Sequence, residues 1–388
     1  GLDAGPFAAR GAYPLIGRDA AGRRYESRKP KEGELLRRST AQIDQILEGV
    51  KEGIFALARS PAEIVEAKRN ATPCAVLAIE GADPLEGDIA RVKFFYDRGV
   101  RVLQLLHYRI NEIGDIQTAN PQHGGLTPFG REVVREMNKL GMIIDTAHCS
   151  PETVAGVLSE SKAPVIFSHT GAHALRPLGR HLQDRELRAI AAKDGIIGIW
   201  PNLRRRDTFE SFLEDLDYVQ KLAGDGRVGF ATDLFGLDTH TAVPTHKEFA
   251  LIPAALLKRG YAATAVEKRV GGNFMRLFRE VSASSRRFLS STIAYGGWNV
   301  EKSTNASHAD RGYALAGRRV RRLGADVDAA SLSQLCRFLG DCLDRQGGRL
   351  LPEAWPGRRS AVRRPSDRRR DAGQRPGGDG QSLAGAGR

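Results

Sequence analysis

The sequence predicts an α/β protein built as a (β/α)8 barrel, and three observations predict it. Between residues 50 and 285, short continuous apolar runs alternate with longer amphipathic stretches. Strands without polar alternation belong to a parallel sheet covered on both faces. No GxGxxG or GxxxxGK[ST] follows any of these runs, so the phosphate loop that would support a doubly wound open sheet is missing. Finally, five of six successive runs end on Glu80, His107, His148, His169 and Asp233. A barrel brings the C-terminal ends of all its strands to one face, where reactive groups collect.

Taken in order, residues 1–50 read as a divergent or truncated N-terminal segment. Residues 11–45 are polar ("GRDAAGRRYESRKPKEGELLRRS") and give little sign of a first strand, so that strand is expected to be incomplete. The barrel is assigned to residues 51–285. Its runs are "GIFALA" (53–58), "AVLAIE" (75–80), "VRVLQLLH" (100–107), "GMIIDTAH" (141–148), "PVIFSH" (164–169), "GIIGIW" (195–200) and "RVGFATD" (227–233). Helical stretches lie between them, at 86–99, 127–141, 150–162 and 184–195. Thr127-Pro128 and Ser150-Pro151 place a capping hydroxyl before a Pro at the first helical position, and Asp184 is expected to cap the next helix. Each helix closes at or near a Gly.

The remaining 286–388 differ in kind. They carry 20 Lys and Arg against 10 Asp and Glu, whereas residues 1–285 carry 39 against 36. The net charge of +13 is therefore a property of the tail, and a specific nucleic-acid interface in the barrel is not expected. We assign residues 286–352 to a divergent C-terminal extension. Residues 353–388, rich in Arg, Gly and Pro, lack the apolar surface that would offset ordering entropy and are expected to be disordered. The four cysteines, Cys74, Cys149, Cys336 and Cys342, form no CxxC pair and read as reduced thiols. No run of about 18 apolar residues exists to span a membrane. The chain starts at Gly1 without a leader, which reads as a mature or truncated product.

The strand-end residues suit metal chemistry. Two imidazoles and a carboxylate supply the lone pairs that Zn²⁺ or a similar ion takes. Glu80 is the candidate to bridge two ions, a geometry that activates water and polarises a carbonyl together. Asp233 is placed to move a proton between the attacking water and the leaving amine. His107 is placed to donate to a tetrahedral oxyanion, or to be a further ligand.

The text around these residues adds to that reading. "AIEG", "LQLLH", "GLTPFGREVVREMNKLGMIIDTAHCS", "APVIFSH", "VGFATD" and "GGNFMRLFREV", in this order over about residues 50–282, closely resemble the membrane (renal-type) dipeptidase family, peptidase family M19. The resemblance implies a barrel of the amidohydrolase type with two Zn²⁺ ions per chain and dipeptides as substrates. It implies that Glu80 bridges the ions, that His148 and His169 hold the second, that His107 faces the substrate carbonyl and that Asp233 handles protons. Arg180, eleven residues after His169, matches an arginine that holds the substrate carboxylate, for which a guanidinium fork is suited.

The sequence departs from that pattern at its start. The family's first strand ends in His-x-Asp, which supplies the first ion, and no HxD occurs near this N-terminus. Asp3 is the nearest match to the Asp, with Gly1 where the His is expected. Glu80 and Asp3 alone fall short of a three-ligand catalytic site. A degenerate member with one ion or none, acting as a weak hydrolase or a binding protein, is therefore the alternative to an active dipeptidase. An Arg-rich tail that retains nucleic acid is a third reading. The resemblance allows a homodimer. The Arg, Ala and Gly bias favours a soluble bacterial protein of the cytoplasm or periplasm over a membrane-anchored one.

Overall fold

The computed structural model describes residues 3–20, 22–202, 208–234, 236–237, 241–245 and 248–295, and of residues 285–295 the backbone only. All described residues belong to one compact unit. The expected extension beyond residue 295, the expected disorder of 353–388, and Cys336 and Cys342 lie outside the described residues. Cys74 and Cys149 are buried free thiols.

Seven parallel strands follow one another around a curled sheet in chain order: β1 (Ala4–Ala9), β5 (Cys74–Glu80), β6 (Val100–Gln104), β7 (Ile143–Asp145), β8 (Ile166–Thr170), β9 (Ile196–Ile199) and β10 (Val228–Phe230). A short β4 (Ala56–Leu57) pairs with the start of β5, and β2 (Ile16–Arg18) and β3 (Arg24–Glu26) form a separate antiparallel hairpin. Helices α1 (Glu34–Lys51), α2 (Pro61–Arg69), α3 (Ala90–Asp97), α4 (Pro128–Leu140), α5 (Pro151–Glu160), α6 (Asp184–Ala192) and α7 (Phe209–Ala223) fall between them, with α8 (Leu251–Lys258), α9 (Ala263–Glu267) and α10 (Asn273–Tyr295) after β10. This is the alternation of a (β/α)8-type barrel. One side of the sheet buries Val76, Ala78, Val102, Ile143, Ile166 and Ile196 against Leu277, Phe278 and Val281 of α10. The uninterrupted apolar runs are thereby explained, since the strands have no water-facing side.

Local chemistry sets the helix starts. The hydroxyls of Thr127 and Ser150 accept from the amides of Gly130 and Thr153, with Pro at the first helical position, as the sequence predicts. At α6 the cap differs. Gln183 is the capping residue, its amide donating to the Glu186 carboxylate, while Asp184 accepts from the Tyr218 hydroxyl. The start of α1 is capped from a distance: the Glu86 carboxylate accepts from the amides of Gly33 and Leu35.

The N-terminus requires a correction. Residues 4–9, "AGPFAA", form a full strand paired in register with six residues of β5, from Ala4 opposite Cys74 to Ala9 opposite Ile79. Pro6 is tolerated because β1 lies at the edge of the described sheet, where a missing N–H breaks no ladder on the outer side. The first strand therefore precedes the polar stretch 11–45 in which it was sought.

Candidate metal centre

The register sets the level of the site. Glu80, Gln104 and Asp145 are paired neighbours at the ends of β5, β6 and β7. Sheet pairing stops there, and the chain turns over the strand ends. Glu80 is the last residue of its strand and His169 lies within β8, whereas His107, His148 and Asp233 each stand three residues past the end of a strand. These three occupy connecting turns, so the strands end earlier than their apolar runs.

The turns are tightly specified. Gly81 follows Glu80 with φ +87°, and a Cβ there would lie 2.5 Å from Asp83 Oδ2 and 3.0 Å from His107 Cβ, so only glycine fits the step from Glu80 towards His107. His148 has φ +69° and Asp233 φ +44°, a left-handed backbone that non-glycine residues adopt at a cost. The carbonyl of His148 accepts from the Gln117 amide at 2.9 Å, which helps hold that turn.

Three of the expected ligands converge. His148 Nε2 lies 3.0 Å from His169 Nε2 and 3.7 Å from Glu80 Oε1, and all three donor atoms fall within 4.8 Å of one another. Two ring nitrogens on one tetrahedral ion are about 3.3 Å apart, so this spacing matches a shared ion. Burial holds both imidazoles neutral, reinforced by the positive charge of Arg180; His169 is pushed down to about 3 and His148 is also strongly lowered. Neutral rings keep the lone pairs that a metal needs. Behind them, His169 Nδ1 meets Ser168 Oγ at 2.8 Å, and Ser168 bonds in turn to Asp145. A partner on Nδ1 of this kind orients Nε2 towards a metal. Among the described residues this is the one group of three His, Cys, Asp or Glu close enough to hold an ion.

His107 joins the site from the side. Its Nε2 is 3.5 Å from Glu80 Oε1, and its buried Nδ1 has no protein partner. Burial, with Arg10, Arg180 and Arg24, keeps it neutral. Asp233 is pushed up to about 7, by burial first and by the Glu80 charge second. Arg180 is buried, and its Nη1 donates to Gln117 Oε1. Its Nε and Nη2 have no partner, and its guanidinium lies 5.6 Å from the centre of the Trp200 ring. Half of a buried fork is thus left for an anion.

Asp3 is not brought to this site. It precedes β1 at the opposite end of the sheet: its carbonyl accepts from Cys74, the first residue of β5, and its exposed carboxylate pairs with Lys68 at 2.8 Å. A strand six residues long separates it from the Glu80 level. Arg10, directly after β1, is there instead, with Nε 3.8 Å from Glu80 Oε2. The sequence reading missed Arg10 because it missed the strand. It also missed Gln117, 63 residues from its partner Arg180, for which no local signal exists.

A profile of the membrane dipeptidase family (peptidase family M19) matches residues 25–292. Dipeptidase tcpJ of Claviceps purpurea is 33% identical over 233 residues, covering 58% of this chain and 55% of that protein. Dipeptidase verJ of Clonostachys rogersoniana is 30% identical, covering 66% and 68%. The chain thus spans about half the length of tcpJ. The crystal structure of the probable dipeptidase PvdM from Pseudomonas aeruginosa superposes with a TM-score of 0.65 at 20% identity, over 73% of this chain and 86% of that one. A metallopeptidase from Rhodobacter sphaeroides, crystallised with a phosphinate mimic of the dipeptide L-Ala-D-Ala, gives 0.59 at 25% identity, over 65% and 76%. No helix among the described residues is long and apolar enough to cross a membrane.

Proposed function

The chain belongs to the membrane dipeptidase family, peptidase family M19, and from that premise we propose that it hydrolyses dipeptides by a metal-assisted attack of water, with Zn²⁺ as the ion. The observation that carries the proposal is the convergence of Glu80 Oε1, His148 Nε2 and His169 Nε2. These residues would hold the ion, and their nitrogen and oxygen donors suit zinc. A bound ion would supply Lewis acidity and lower the pKa of water.

The other residues bind and move protons. Arg180 offers Nε and Nη2 to the C-terminal carboxylate of the substrate. Buried beside Trp200, it can fix the peptide by a two-point, charge-assisted contact. His107, neutral and with Nδ1 unpartnered, donates an N–H to the carbonyl oxygen as that oxygen gains charge. Asp233, with a carboxyl pushed up to about 7, is suited both to take a proton from the attacking water and to give it to the departing amine. The C–N bond breaks as the new C–O bond settles into a carboxylate, and the amine leaves protonated.

The test is zinc content per chain after loading and desalting, read together with hydrolysis of unblocked dipeptides including those with a C-terminal D-residue. Bound zinc with turnover is expected, and His148→Ala should lose both. Turnover that survives full metal removal would overturn the reading.

A further inference from the structure

Resting on that reading of the site, we propose that the Arg10 guanidinium stands where a two-ion centre would place its first ion, so that the site works with one metal and a fixed organic cation. The two oxygens of Glu80 carry the argument. Oε1 faces the ring nitrogens of His107 and His148 at 3.5 and 3.7 Å. Oε2 faces Arg10 Nε at 3.8 Å. A carboxylate that bridges two metals needs an ion on each oxygen, and here the second side holds a guanidinium.

The placement of Arg10 follows from the backbone. β1 is in register with β5 as far as Ala9 opposite Ile79, so residue 10 necessarily arrives beside Glu80. The residues that follow are Gly11 and Ala12, neither of which offers a metal donor. Ala12 packs in an apolar cluster with Leu15 and Leu35. The arginine is also held in place. Its amide donates to Gln42 Oε1 at 2.6 Å, its guanidinium lies 4.7 Å from the centre of the Tyr13 ring, and its side chain is only 17% exposed.

The charges explain why one cation excludes the other. A divalent ion at Glu80 Oε2 would stand within a few ångströms of a guanidinium that cannot lose its proton, in a pocket where water screens poorly. A single-charged guanidinium neutralises that oxygen without completing a coordination sphere. Arg10 is thus a positioning residue: it directs Glu80 to offer one oxygen to the ion between His148 and His169.

Metal stoichiometry tests this on the full chain. Protein saturated with Zn²⁺ is desalted and its zinc counted by mass spectrometry, and zinc titration calorimetry is run on the wild type and on Arg10→His. The expected result is one zinc per wild-type chain, with Arg10→His binding a second ion at least about tenfold more tightly than any secondary wild-type binding. Two zincs per wild-type chain would overturn the inference and leave the hydrolase reading intact. No zinc at all would remove the metal reading and this inference with it. If folded Arg10→His and the double variant Arg10→His/Ala12→Asp, which adds a further donor two residues on, both checked by circular dichroism, each hold one ion like the wild type, Arg10 is not what displaces the second.

Discussion

The two sides of Glu80 are built differently. On one side, β7 and β8 supply His148 and His169, with Asp145 and Ser168 behind them, all buried or nearly so and linked by hydrogen bonds. On the other, the edge strand β1 supplies Arg10, which meets Glu80 at 3.8 Å and stacks on Tyr13. The first side is a set of lone pairs whose spacing suits a cation, and the second already contains one. The two sides can differ in chemistry within one sheet, because each strand end is fixed by its own register with its neighbour.

Removing a ligand from the imidazole side should give the largest effect. His169→Ala deletes one of three converging donors, and zinc retention and dipeptide turnover should both fall to background. Retention of a full zinc complement would show that the two sides had been assigned the wrong way round. Next in size is Asp233→Asn, which keeps the shape but cannot carry a proton. A fall in kcat of about 10²–10⁴ is expected with zinc content unchanged. Loss of zinc in that variant would move Asp233 from proton transfer to coordination.

The same contrast explains what was legible in the sequence. β5 to β8 are covered on both faces, so their apolar runs are unbroken and the polar residue that closes each run stands out; Glu80, His107, His148 and His169 were legible as candidates from that pattern, and the family resemblance supplied their roles. The caps at Thr127 and Ser150 were legible because hydroxyl followed by Pro is a local signal. β1 was not, since "AGPFAA" contains Gly, Pro and small residues that only an edge strand tolerates. With the strand unseen, Asp3 was matched to the wrong end of it and Arg10 was passed over. The positive φ of His148 and the pairing of Gln117 with Arg180 depend on how distant turns meet, which neither periodicity nor composition encodes.

A smaller effect should come from behind the ligands. Ser168→Ala breaks the link between His169 Nδ1 and Asp145 without touching a donor atom. Zinc affinity should weaken by about 10–100-fold, measured by competition with a chromophoric chelator. An unchanged affinity would mean that packing alone orients His169, and that the imidazole side owes its rigidity to the barrel and not to its hydrogen bonds.

The smallest expected effect concerns stability at the wall of the site. His181 is buried; its Nδ1–H donates to the Arg176 carbonyl at 2.8 Å and its Nε2 accepts from Trp200 Nε1 at 3.4 Å. The second contact requires the neutral ring, because a protonated Nε2 has no lone pair to accept with. Burial lowers its pKa to about 4, with Arg176, Arg180 and His173 adding repulsion and the Arg176 carbonyl opposing them. Between about pH 4 and 6.5 the unfolded chain binds the proton that the folded chain refuses, so stability falls as pH drops through 6.5 and the loss levels off below about 4. At pH 5 this one residue should cost about 2 kcal/mol relative to neutral pH. In chelator, where no ion biases the other histidines, His181→Gln should lose that share of the acid destabilisation while His107, His148 and His169 retain theirs. Urea midpoints at pH 5 and 7 for the two proteins measure the difference. An identical pH dependence would mean that His181 takes up its proton as readily in the fold as in the unfolded chain, and that the wall beside Trp200 does not hold it neutral.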